Sequence, residues 1–132
     1  VAHDPAALPP ELTAFLTERH LGTLTLVAPD GVPHVTPVGF TWDPDTGLVR
    51  VITWNGSRKA RLLERHGPLQ AAVGSVDGGR WCTLGGIAEV TADPDRCADA
   101  VRRYAERYRP PKDRGPDRRT IELRVTRVLG RG

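Results

Sequence analysis

The sequence predicts a mainly β (α+β) domain, a six-stranded antiparallel barrel with short flanking helices. Three features carry this reading. Apolar residues alternate with a period of two through most of the chain. Turn signals recur between those stretches at hairpin spacing, which favours antiparallel neighbours. The longest alternating stretch, Arg80 to Thr91, holds Gly85-Gly86 in its middle, the bulge or sharp bend that a barrel corner requires. At 132 residues the chain reads as one domain, 1–132. Hydrophobic residues make up 39% and aromatic ones only 5%, so the core must come mainly from Val, Leu, Ile and Ala.

The first element is a helix from Pro10 to about Arg19. Proline suits the first helical position, and Leu12, Phe15 and Leu16 form an i, i+3, i+4 stripe. Leu21 to Ala28 reads as a strand, closed by the turn Pro29-Asp30-Gly31. Val32 to Trp42 reads as one second strand, with Val32, His34, Thr36, Val38 and Phe40 on a common face. Pro33 and Pro37 cannot donate to a ladder, so that strand needs a free side. Asp43 to Gly47 makes a hairpin loop, and Leu48 to Trp54 returns as the third strand. Asn55-Gly56 breaks it, and Ser57 opens a short helix to about His66. Leu69 to Val76 and Arg80 to Thr91 flank the turn Asp77-Gly78-Gly79. Asp93-Pro94 is an N-cap with a proline after it, and the helix shows Cys97, Val101, Tyr104, Ala105 and Tyr108 on one face. Arg109-Pro110-Pro111 ends that helix, and the charged segment to Asp117 reads as a mobile loop. Arg119 to Leu129 is the last strand, with a change of phase near Arg127 that suggests a bulge.

Composition bounds the function classes. No apolar run approaches the roughly 18 residues that a membrane span needs. Val1 to Pro10 lacks the basic and apolar regions of a secretion signal. Cys82 and Cys97 lack metal-type spacing and read as reduced core thiols, which predicts a cytoplasmic protein. From Arg102 onward eleven Lys/Arg face four Asp/Glu, an excess of seven, whereas the preceding residues are net acidic. A basic final third calls for an anionic partner or is a solvated face. No helix-turn-helix, zinc finger or RNP-like pattern accompanies it, so no nucleic-acid partner is expected.

A few residues could carry chemistry. Ser57-Arg58-Lys59 lies where a strand gives way to a helix, and amide groups at a helix N-terminus favour anions. The tripeptide fits two readings, a plain N-cap with solvated cations or a phosphate site. His34 is either a ligand or a hydrogen-bonded strand residue, and no second His stands at metal spacing. Arg80 and Trp81 follow a tight turn and make either an anion-clamping wall or a strand-start packing pair. No nucleophile elbow and no strand-following GxGxxG is present, so neither a hydrolase triad nor a Rossmann site is expected.

Taken together, Pro33-His34-Val35-Thr36-Pro37-Val38-Gly39-Phe40 and Val51-Ile52-Thr53-Trp54-Asn55-Gly56-Ser57-Arg58-Lys59-Ala60 resemble the pyridoxamine-phosphate-oxidase-like split-barrel superfamily. Val76-Asp77-Gly78-Gly79-Arg80-Trp81, Gly86-Ile87-Ala88 and Arg103 to Pro111 are similar to its F420-dependent biliverdin reductase branch. The resemblance runs from about Leu12 to Gly130 and implies a split β-barrel, a homodimer and a cofactor site in each cleft between protomers. It implies coenzyme F420 as cofactor, with FMN as the alternative. His34, Val35, Thr36 and Pro37 would pass along the deazaflavin ring, and Ile52, Thr53, Trp54, Asn55 and Gly56 would line the ring and ribityl side. Ser57 and Lys59 would hold phosphate, and Asp77, Gly78, Arg80 and Trp81 would close the site from the other protomer. Arg58 stands where relatives often carry an uncharged residue, and Trp54 is bulkier than the expected small one. Arg107 and Arg109 are the candidate clamp for the propionates of biliverdin. The implied reaction is hydride transfer to a conjugated acceptor, biliverdin to bilirubin, with the cofactor carrying the chemistry. An FMN-dependent oxidase or reductase on the same barrel and a non-catalytic flavin, F420 or haem carrier are the alternatives.

Overall fold

A computed structural model describes residues 2–132. The elements are β1 (Ala2–His3), α1 (Pro10–Thr17), β2 (Gly22–Val27), β3 (Pro33–Val38), β4 (Thr41–Asp43), β5 (Leu48–Trp54) and α2 (Arg58–His66). They continue with β6 (Leu69–Asp77), β7 (Arg80–Thr91), α3 (Pro94–Arg107), a 3-10 turn at Gly115–Asp117 and β8 (Arg118–Arg131). The sheet runs β3-β2-β6-β7-β8-β5-β4, with β1 on β8, and every pairing is antiparallel.

The expected antiparallel architecture is present, but the strands number eight rather than six. One added strand is β1, too short to leave a periodic signal. The other comes from Val32–Trp42, which divides at Gly39-Phe40. Residues up to Val38 pair with β2, whereas Thr41–Asp43 pairs with β5. β3 and β4 therefore occupy opposite ends of the sheet path while only two residues join them. The sheet must curl until its two ends approach, which makes it a barrel with one open seam.

Gly85-Gly86 does mark a bulge. Gly85 faces Arg127 and Gly86 faces Val125, so Thr126 is the extra residue, at the place where the β8 pattern changes phase. A Cβ on Gly86 would stand 1.9 Å from the Arg124 carbonyl oxygen, so no other residue fits without moving the backbone.

The barrel interior holds Leu24, Leu26, Phe40, Val51, Val73, Leu84 and Ile121, and Leu12 and Phe15 of α1 join this cluster. Burying such side chains contributes roughly 1.5–3 kcal/mol each. Helix α3 departs from its expected stripe: Cys97 and Ala100 are buried, but Val101 and Ala105 stay half-buried. The reason lies in what α3 covers. Arg50 of β5 is buried beneath it, bonded to Asp43 at 3.0 Å, and Arg103 and Asp99 of α3 join that charged layer. Among the described residues, no helix is long and apolar enough to cross a membrane.

Candidate functional site

The open seam is a cleft of about 240 Å³. Pro37, Val38 and Gly39 form one bank, and Ile52, Thr53 and Trp54 of β5 form the other. Lys59 of α2, Tyr104 of α3 and the cations Lys112, Arg114 and Arg118 complete it.

Local chemistry explains how α2 points Lys59 into the seam. The Ser57 amide donates to the Trp54 carbonyl at 3.0 Å and closes the Asn55-Gly56 turn. Ser57 Oγ then accepts from the Ala60 amide at 3.2 Å, the N-cap bond, and from the Thr53 hydroxyl at 2.7 Å. The first turn of α2 is thereby locked to the end of β5. A Cβ on Gly56 would lie 2.8 Å from Trp54 Nε1, so glycine is what lets the indole fold over the turn. The Arg114 guanidinium sits over the Trp54 ring, 4.3 Å from its centroid, a cation–π contact.

The final loop is tied to β5. The Asn55 amide donates to the Asp117 carbonyl at 2.9 Å, and Arg118 donates to the Thr53 carbonyl at 3.2 Å and to the carbonyl of Lys112. On the other side, Tyr108 donates to the His20 carbonyl at 2.6 Å and accepts from the Phe40 amide at 3.1 Å. Tyr104 packs on Tyr108, 4.9 Å between ring centres, beside the β3–β4 crossover.

Electrostatically the cleft is one-sided. Its lining contains no aspartate or glutamate. Among the described residues, Lys59, Lys112, Arg114 and Arg118 make no ion pair with a carboxylate. Burial pushes the pKa of Lys59 below its ordinary value. Burial does the same to Arg118, and the neighbouring Arg114 charge adds to it. Lys59, Arg114 and Arg118 are half-buried without a counter-charge, which is costly, and an anion in the cleft would offset that cost.

The other residues singled out in the sequence fall into groups. Pro37, Ile52, Thr53, Trp54 and Lys59 line the cleft. Asn55, Gly56 and Ser57 build the adjoining turn, while Arg58 is exposed outside the lining. His34, Val35 and Thr36 lie along β3, His34 about 13 Å before Val38 at strand rise. His34 Nδ1 and Thr36 Oγ1 are buried without hydrogen-bond partners, so β3 carries unsatisfied polar groups outside the cleft lining. Asp77, Gly78, Arg80 and Trp81 sit at the β6–β7 hairpin, two strands and about 10 Å from β3. There Arg80 forms a two-pronged pair with Glu18 at 2.8 and 3.1 Å. Arg107 donates to the carbonyls of Glu18 and Phe40 and lies over the Phe40 ring, in a separate cleft with Trp42 and Glu106. Arg109 is exposed just past α3.

Val38, Gly39, Tyr104, Pro111, Lys112, Arg114 and Arg118 were not singled out as site residues. For the three cations the available signal was the basic excess of the final third.

A family model for pyridoxamine 5'-phosphate oxidase matches residues 8–132. The chain belongs to the pyridoxamine 5'-phosphate oxidase family. A member of Mycobacterium tuberculosis, an F420H(2)-dependent biliverdin reductase, is 50% identical over 117 residues, covering 89% of this chain and 83% of that protein. A solved F420 reductase shares 27% identity at a TM-score of 0.71, over 92% of this chain and 98% of its own. The heme storage protein HutZ of Vibrio cholerae shares the fold at a TM-score of 0.74 and 20% identity, over 92% and 93% of the two chains.

Proposed function

We propose that this protein is an F420-dependent reductase that passes a hydride to a conjugated acceptor, which also takes up a proton from solvent, with biliverdin as the acceptor and bilirubin as the product. The observation that carries the proposal is the seam cleft, cationic and without carboxylates. This donor set fits a cofactor with a flat polar ring at one end and a phosphate and carboxylate tail at the other. When bound, reduced F420 supplies the hydride.

The chain's own residues bind and orient. Lys59 takes the phosphate, with Ser57 holding the turn that aims it. Arg114 and Arg118 receive the carboxylates of the tail. Ile52, Thr53, Trp54 and the β3 residues His34 to Pro37 flank the ring and exclude water from it. The cleft lining offers no histidine, cysteine or carboxylate. That suits a reaction whose bond-breaking is done by a cofactor and whose rate depends on alignment.

The site is completed in a homodimer. The outer face of β2, β3, β6 and β7 carries one charged residue, Glu89 near the end of β7, and leaves Val35, Val76 and Ile87 exposed, which favours a protein contact there. A second copy on that face brings its Asp77, Gly78, Arg80 and Trp81 to the first copy's cofactor. Arg107 and Arg109 hold the propionates of the acceptor.

An absorbance titration with F420 and with FMN tests the cofactor. Tight FMN binding without F420 binding overturns the proposal. Reduced F420 with biliverdin is then followed for bilirubin. Turnover of other acceptors but not biliverdin retains the reductase and removes the substrate, whereas binding without any turnover points to a carrier.

A further inference from the structure

The apolar stripe of α3 is the one strong sequence pattern that the barrel core does not absorb. Val101 and Ala105 are half-buried and Ala98 is exposed, although their spacing places them on one helical face. They form the floor of a second cleft, about 620 Å³, between α3 and the loop that carries Pro110, Pro111 and Pro116. The volume lies within the range of small-molecule sites.

The rim gives the cleft a sign. Arg102 is neutralised on its own helix by Asp99 and Glu106. Asp113 is held in the loop, accepting from the Gly115 amide at 2.8 Å. Lys112, Arg114 and Arg118 line this cleft as well as the seam and have no carboxylate partner among the described residues. The loop is thus a wall between two clefts: Arg114 lies over Trp54 and Arg118 donates to the Thr53 carbonyl on the seam side, which leaves the exposed Lys112 for the second cleft. An apolar floor under unpaired cations matches a ligand with an apolar body and acidic ends.

We propose that the cleft between α3 and the Pro110–Pro116 loop is a second binding site, which takes a small apolar molecule bearing carboxylate groups. It lies across the loop wall from the seam, shares that wall's residues and does not rest on the F420 assignment. Val101 and Ala105 receive the apolar body, and Lys112 at the loop receives the carboxylate.

The test is a fluorescence titration of the full chain with 11-(dansylamino)undecanoic acid, repeated with the same probe carrying a terminal methyl in place of the carboxyl. Saturable binding of one acid per chain is expected, about tenfold tighter than the methyl analogue. Val101→Glu, which puts a negative charge on the floor, weakens the acid by about tenfold or more. Lys59→Ala, on the far side of the wall, leaves its affinity unchanged. Ala98→Trp, at an exposed position, fills the cleft without touching the core and must also weaken binding, which covers a Val101→Glu chain that does not fold. Equal binding of acid and methyl analogue overturns the site as a carboxylate site. Loss of the probe in Lys59→Ala but not in Ala98→Trp moves the ligand to the seam and overturns it too, while leaving the reductase reading standing. A wild-type chain that binds no probe, but changes oligomeric state on Val101→Glu, makes the stripe a subunit contact instead.

Discussion

Lys59→Ala separates a binding role from a folding role more sharply than any other single change. The Lys59 ammonium is half-buried in the seam and makes no ion pair with a carboxylate among the described residues, and burial alone lowers its pKa from 10.5. The free protein gains nothing from a native partner at this position and bears a desolvation penalty. Removing the charge should therefore leave stability at neutral pH within about 0.5 kcal/mol of wild type. The sign of the pH dependence follows. Because the native pKa lies below 10.5, the unfolded chain binds more protons between the two values, and wild-type stability rises with pH through that window. The variant lacks that rise. For binding the expectation is opposite in sign and larger. A hydrogen bond to a charged group contributes about 1.5–3 kcal/mol, so the Kd for F420 should weaken about 10- to 150-fold. The weakening should shrink as salt is added, because a screened cation has less to lose. Absorbance titration at two ionic strengths gives the Kd, and thermal unfolding by circular dichroism gives the stability. An unchanged Kd would refute the phosphate assignment. A fall in affinity matched by a fall in Tm would refute the claim that Lys59 serves the ligand rather than the fold.

Two further outcomes test the packing around the site. Burial acts to raise the pKa of Asp43, but bonds from the Thr46 hydroxyl, Arg50 and the Asp45 amide and the nearby Arg103 charge outweigh it, to about 2. Measured from 3.8 in the unfolded chain, that depression contributes roughly 2 kcal/mol at neutral pH, lost as pH falls from about 4 through 2; Asp43→Asn should lose it at pH 7, and equal stability of both chains in urea at pH 7 contradicts the network. Burial pushes the Cys82 thiol up to about 11, so it should resist Ellman's reagent at pH 8 until the chain unfolds, and rapid labelling that disappears in Cys82→Ala would contradict its place in the core.

Local signals were legible wherever a residue's neighbours in sequence are also its neighbours in space. Leu48–Trp54 and Arg80–Thr91 begin and end where alternation and turn residues place them, and Ser57 and Asp93 cap their helices through their own side chains. The β3–β4 crossover was not legible for a physical reason. Val38 and Phe40 are both buried, so alternation runs unbroken through the point where the chain exchanges one sheet end for the other. Periodicity reports which face is inward and is silent about which strand lies alongside. The site divides in the same way. Trp54 and Lys59 flank the Asn55–Gly56 turn and are close in sequence, whereas Arg118 reaches them through its long-range pairing opposite Trp54 in the β5–β8 ladder and Arg114 through the loop that the Asn55–Asp117 bond holds against β5. The basic excess announced that cations were present and could not say where they converge.

The prolines of β3 explain why a cleft exists at that convergence. The Ala28 amide donates to the Val32 carbonyl across the β2–β3 hairpin, so even-numbered residues of β3 point their backbone groups toward β2. The odd-numbered positions 33, 35 and 37 face the free edge, and two of the three are proline. Only Val35 has an N–H to offer there. Without those donors β3 cannot form a continuous ladder across the seam, although the two-residue crossover brings it near the other end of the sheet. An ordinary strand at this edge would invite closure of the barrel or pairing with another chain. Pro33 and Pro37 work against both outcomes, so the seam stays open between Pro37–Gly39 and Ile52–Trp54. The position that Lys59, Arg114 and Arg118 surround is thus set by missing backbone donors as much as by the side chains that line it.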